Sequence, residues 1–131
     1  MRLAALGVAI LLAGCNSTAG PQLGDQFTLR YGQSASITEL DLWVRFIDVV
    51  DDSRCPSDVE CVWSGDGAVL LEVAPLNGDS KEDVVHTSLE PHQIPLGRAE
   101  LRLVRLDPYP VTTRPIAPHD YVVTLVTRLT P

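Results

Sequence analysis

The chain predicts an all-β domain: an antiparallel sandwich of about seven strands, with a small barrel as the alternative closure, and one disulfide. Short segments rich in Val, Leu, Ile, Thr and aromatic residues recur along it. Clusters of Pro, Gly, Asp and Asn divide them at regular intervals, and no window shows helical periodicity. Strands punctuated this way, without intervening helices, have to bury their apolar faces against one another.

Each segment is justified by its alternation. Phe27 to Tyr31 sets Phe27, Leu29 and Tyr31 against Thr28 and Arg30, and Gly32-Gln33-Ser34 turns the chain into a short segment from Ala35 to Ile37. From Leu42 to Val50, Leu42, Val44 and Phe46 share one face, with Trp43, Arg45 and Ile47 on the other. Gly67 to Ala74 points Val69, Leu71 and Val73 inward against Leu70 and Glu72. Val84 to Leu89, Glu100 to Leu106 and Tyr121 to Leu129 complete the set, the last with Tyr121, Val123, Leu125 and Leu129 on one face. Successive strand side chains point to opposite faces, so this period-two pattern describes half-buried strands.

The connections are legible too. Asn77-Gly78-Asp79 is a tight-turn candidate inside the polar stretch Pro75 to Asp83. Asp107 to Pro110 and Arg114 to Pro118 form a proline-rich crossing. Proline lacks the amide that a ladder needs, so this segment is a loop or an edge. Tyr121, directly after Pro118-His119-Asp120, resembles a tyrosine corner, whose hydroxyl bonds a nearby backbone group.

The amino terminus has a different character. Met1-Arg2 precedes an apolar run from Leu3 to Ala13, and Leu12-Ala13-Gly14-Cys15 resembles a bacterial lipobox. The run is too short to span a bilayer, which takes about 20 residues, and it has the order of a cleaved export signal. The expected organisation is a signal peptide over 1–14, a lipidated Cys15 opening a flexible tether over 15–24, and a single β domain over 25–131. The resemblance implies a diacylglyceryl thioether on Cys15, usually with a further acyl chain such as palmitate on the freed amine. Two or more acyl chains anchor stably where one does not. Asn16, rather than Asp, follows the cysteine, which favours the outer membrane, facing the periplasm.

Assigning Cys15 to lipid leaves Cys55 and Cys61 as the remaining pair among three cysteines. An oxidising compartment favours a disulfide between them, and closing so short a loop stabilises by about 2.4 kcal/mol in the chain-entropy treatment. The spacing is neither that of a redox C-x-x-C nor that of a thiolate metal site. Seventeen acidic residues against ten basic ones give a formal charge of −7, one unit more negative once Arg2 is removed. So acidic a chain has no electrostatic footprint for nucleic acid or for anionic headgroups, and membrane contact is expected through the lipid alone.

The densest motif runs from Asp51 to Gly65 and leads into the strand beginning at Gly67. Its Asp52-Ser53-Arg54-Cys55-Pro56, Val59, Cys61, Trp63 and Gly65 resemble the D-S-R-C-P-x-x-V-x-C-x-W-x-G signature of small uncharacterised exported bacterial proteins, many of them lipoproteins. That resemblance covers about fourteen residues closely and the rest loosely, and it implies export, a disulfide and a β fold without supplying a reaction. Physically, Pro56 stiffens the loop, the disulfide closes it, and Trp63 is placed to cover the bridge. Arg54 has Asp51, Asp52 and Asp58 as candidate partners. The stretch from Asp51 to Asp66 is the candidate interaction loop, with Asp52, Arg54, Trp63 and Asp66 as its contact residues and Trp43 as a possible extension.

The same stretch offers two chemical alternatives. Asp48, Asp51, Asp52, Asp58, Glu60 and Asp66 crowd one stretch, and Ca²⁺ takes six to eight oxygen ligands; Asp51, Asp52 and Asp58 are the weak calcium candidates, although no EF-hand spacing is present. Nucleophilic catalysis finds no setting. Ser53, Ser64, Ser80 and Ser88 lack a G-x-S-x-G context, His86, His92 and His119 pair with none of them in sequence, and no phosphate-binding glycine loop occurs. The expectation is a non-catalytic envelope module without a cofactor beyond its lipid, binding a protein or glycan partner. Inhibition of a cationic hydrolase such as a lysozyme, and calcium-dependent envelope binding, are the rivals.

Overall fold

A computed structural model describes residues 19–131; the expected signal peptide, Cys15 and the first part of the tether lie outside the described residues. Eight strands follow in order: β1 (Gln26–Arg30), β2 (Ser34–Ile37), β3 (Leu42–Asp52), β4 (Gly67–Pro75), β5 (Lys81–His86), β6 (Gln93–Leu96), β7 (Ala99–Asp107) and β8 (Val122–Leu129). They form two four-stranded antiparallel sheets, ordered β1-β8-β7-β6 and β2-β3-β4-β5, and neither sheet closes into a barrel. The sandwich expected from the alternation is the fold.

The inward rows are the predicted ones. Leu29, Leu101, Leu103, Val123 and Leu125 from one sheet meet Ile37, Val44, Phe46, Val69, Leu71 and Val85 from the other in one buried cluster. Full burial of each such side chain contributes roughly 1.5–3 kcal/mol. Leu129 departs from its expected place: it lies at the end of β8 and is 58% exposed, because its ladder partner Ala99 begins β7 and no inward row continues past it.

Two boundaries and one strand differ from the sequence reading. β5 starts at Lys81 and ends at His86, so Thr87 to Leu89 form a turn rather than strand. β6, absent from the expected set, carries Pro95 at its centre. It pairs only with β7 and forms an edge, where a missing amide costs no ladder bond. β3 runs on to Asp52 through two irregularities of register, after Phe46 and after Val49. Bulges of this kind bend a strand, and here the bent end delivers the chain into the disulfide loop.

Candidate functional site

The loop between β3 and β4 is held at both of its roots. At the first, Arg54 folds back onto the strand end: its Nε donates to Asp52 Oδ1 at 2.7 Å and one terminal nitrogen donates to Oδ2 at 2.8 Å. The guanidinium also donates to the carbonyls of Leu106 at 2.7 Å and Pro108 at 3.0 Å, and it lies 5.0 Å from the centre of the Tyr109 ring. Tyr121 donates its hydroxyl to Asp52 Oδ2 at 2.8 Å. One buried ion pair thus ties the end of β3 to the end of β7 and the start of β8. Tyr121 does not bond a nearby backbone group as a tyrosine corner would; its acceptor is a carboxylate on another sheet.

The electrostatics follow from the same contacts. Burial opposes the ionised form of Asp52, yet the hydrogen bonds from Arg54 and Tyr121 and the Arg54 charge outweigh it, and the pKa is lowered. Burial likewise opposes the charge on Arg54, and Asp52 more than offsets this, raising its pKa. Burial and the bond to Asp52 push the Tyr121 phenol up to about 12. Paired charges that satisfy each other's hydrogen-bonding capacity persist in a dry site where a lone one would not.

The second root is Asp66. Its carboxylate accepts from His86 Nδ1 at 2.6 Å and from the amides of Ser88 at 2.9 Å and Leu89 at 3.2 Å. Burial raises its pKa, but these donors prevail and the net shift is downward. Between the roots the two limbs run together, with the Ser53 amide bonded to the Asp66 carbonyl and the Cys55 amide to the Ser64 carbonyl. Cys55 and Cys61 are bonded as a disulfide. Gly65 takes a φ of +66°, and a β carbon there would stand 1.8 Å from the Ser53 carbonyl oxygen, so glycine alone fits the close approach. Asp58 accepts from the amide and hydroxyl of Thr112, and the Ser57 amide donates to the Pro110 carbonyl. The loop therefore rests on the proline-rich crossing.

No protein-family model, curated protein or solved structure matches this chain.

The four candidate contact residues divide by role. Arg54 and Asp66 are buried, at 6% exposure each, and Asp52 is partly buried; all three hold the loop in place rather than standing in solvent. Trp63 is 78% exposed and Val62 93%, so the indole does not cover the disulfide as expected but stands in solvent. Trp43 is not part of this surface. It sits near the far end of β3 from Asp52, about 30 Å away at strand rise. Beside Trp63 opens a cleft of about 310 Å³ lined by Ser53, Ser64, Gly65, Asp66, Ser88 and Leu89.

The calcium candidates do not converge. Asp52 is occupied by Arg54 and Tyr121, Asp58 by Thr112, and Asp51 lies on β3 opposite Ala68. Among the described residues no group of three His, Cys, Asp or Glu side chains is arranged to hold a metal ion. Asp66 and His86 form an oriented acid–imidazole pair. The Ser53 hydroxyl, however, is engaged with the Asp66 main chain, and among the described residues no serine hydroxyl is hydrogen-bonded to a histidine. Sequence reasoning missed Ser88, Leu89, Tyr109 and Thr112. Only Tyr109, between two prolines, carried a local signal.

Proposed function

We propose that the protein is a non-catalytic binding module, held at the outer membrane through a lipidated Cys15, and that it engages an envelope partner through the tip of the disulfide loop. The observation that carries this reading is Trp63, an indole left in solvent on a loop braced by a disulfide and by the hydrogen-bonded carboxylates of Asp52 and Asp66. A backbone braced at both ends has less freedom to lose on binding, and Trp, with Tyr and Arg, is enriched among the residues that dominate interface energetics. The adjoining cleft adds hydroxyls from serine side chains and the flat Leu89 edge, a combination suited to a protein or glycan surface. Anchoring the domain at a membrane raises its local concentration towards partners there.

A photo-crosslinking side chain at position 63, expressed in the native envelope, tests the reading. A discrete adduct is expected from position 63 and none from position 43. Equal labelling from both positions, or none from either, refutes the assignment of the contact surface. Retention in the membrane fraction by the native chain and release by Cys15→Ser tests the anchor separately.

A further inference from the structure

An acidic chain has carboxylates enough for its arginines, and Arg54 and Arg105 are paired with Asp52 and Asp107. Among the described residues the other six, Arg30, Arg45, Arg98, Arg102, Arg114 and Arg128, have no carboxylate at ion-pair distance, and of these Arg102 and Arg128 line one cleft. Register sets them on the outer face of the β1-β8-β7-β6 sheet. Arg102 stands opposite Val126, and Arg128, two residues further along β8, stands opposite Glu100. They are diagonal neighbours, with β carbons about 7 Å apart. Both line an open cleft of about 280 Å³ together with Gln26, Thr87, His92 and Val104, and no carboxylate lines it.

The floor of the cleft is apolar. Val126 points outward between Gln26 and Arg102 in the ladder, yet it is only 1% exposed. Of the long side chains around it, Arg102 is half-buried, while Gln26 and Arg128 are exposed. His92 is engaged already, its Nδ1 donating to the His86 carbonyl at 2.9 Å and its Nε2 lying 3.4 Å from Glu90. The two arginines are the cationic side chains of the lining besides His92, and Glu100 stands beside Arg128 in the ladder without reaching ion-pair distance. Two unpaired like charges side by side repel, and an anion between them converts that repulsion into attraction.

We propose that this cleft binds a phosphate group, with Arg102 and Arg128 donating to its oxygens and the Gln26 amide flanking them. A planar carboxylate is satisfied by one guanidinium fork, whereas a tetrahedral phosphate presents oxygens to two forks arriving from different directions. A soluble phosphate ester and a phospholipid headgroup both offer this group. The site lies outside the Trp63 surface and stands or falls independently of it.

The test follows backbone amide and arginine Nε–H signals of the full chain by NMR in phosphate-free dodecyl maltoside micelles, while inorganic phosphate replaces chloride at constant ionic strength. The expected result is a saturable shift at Arg102 and Arg128 with a dissociation constant of about 1 mM. It weakens at least tenfold in Arg102→Gln and in Arg128→Gln, and is unchanged in Arg45→Gln on the opposite sheet. The dispersion of each variant's spectrum reports its folding in the same sample. Phosphatidylglycerol added to the micelles, without inorganic phosphate, separates the sources. Shifts at the same arginines identify a headgroup ligand, and a response to inorganic phosphate alone identifies a soluble one. No saturable shift in either arm, or a shift that persists in both glutamine variants, overturns the proposal.

Discussion

Arg54 holds more of the loop's position than any other side chain, because a single guanidinium satisfies Asp52 and two carbonyls from the β7 end at once. Arg54→Met should destabilise the protein by about 3–5 kcal/mol in urea unfolding, since it strands a buried carboxylate. Adding Asp52→Asn should restore part of the loss, and a fully additive double mutant would show that the pair is not coupled. The acid limb of stability also belongs to these residues. Asp52 and Asp66 both have folded pKa values below their unfolded ones, so their contribution is complete above the unfolded value of about 4 and disappears as pH falls through the folded one. Asp66→Asn should flatten that limb in a pH series of unfolding free energies. Tyr121 works in the opposite direction: its pKa is raised to about 12, so its contribution is present below the unfolded value of about 10 and is lost as pH climbs towards the folded one. The local part of this arrangement, Arg54 beside Asp52, was legible in the motif. The partners 52 and 69 residues away were not, because no spacing rule connects a loop to strands that meet it only after the sheets pack.

At the level of elements, the β3–β4 loop is a stapled connection with a close crossing at its neck. Reducing the disulfide, or replacing Cys55 and Cys61 by serine, should lower stability by about 2.4 kcal/mol, measured by denaturation with and without reductant. Gly65→Ala should cost about 2 kcal/mol or more, through its left-handed backbone and its approach to Ser53; an unchanged midpoint would mean that the neck opens freely. Strands whose alternation is uninterrupted, such as β4 and β8, could be placed from the chain alone. β6 escaped because Pro95 breaks the pattern and four residues carry too little signal. The turn from Thr87 to Leu89 escaped for the opposite reason. Its residues continue a strand-like composition, and what ends β5 is the Asp66 carboxylate capturing the amides of Ser88 and Leu89.

For the whole molecule, the sandwich separates support from display. Trp63→Ala should leave the unfolding free energy within about 0.5 kcal/mol of the native chain, because the indole is outside the core; a larger loss would make it a structural residue and remove the basis for a presented contact. The sequence by itself determined the all-β class, the inward rows of the core and the pairing of Cys55 with Cys61. The first two depend on local alternation, and the pairing, expected once Cys15 is set aside for lipid, is the disulfide the structure holds. Only the tertiary structure decided which residues of the dense motif are buried and which stand in solvent. Charge and aromaticity are visible in a chain, but burial and hydrogen-bond partners are set by segments distant in sequence. Packing the ends of β7 and β8 against the loop turned Asp52 and Arg54 into its anchor, the turn after β5 claimed Asp66, and Trp63 was left outside.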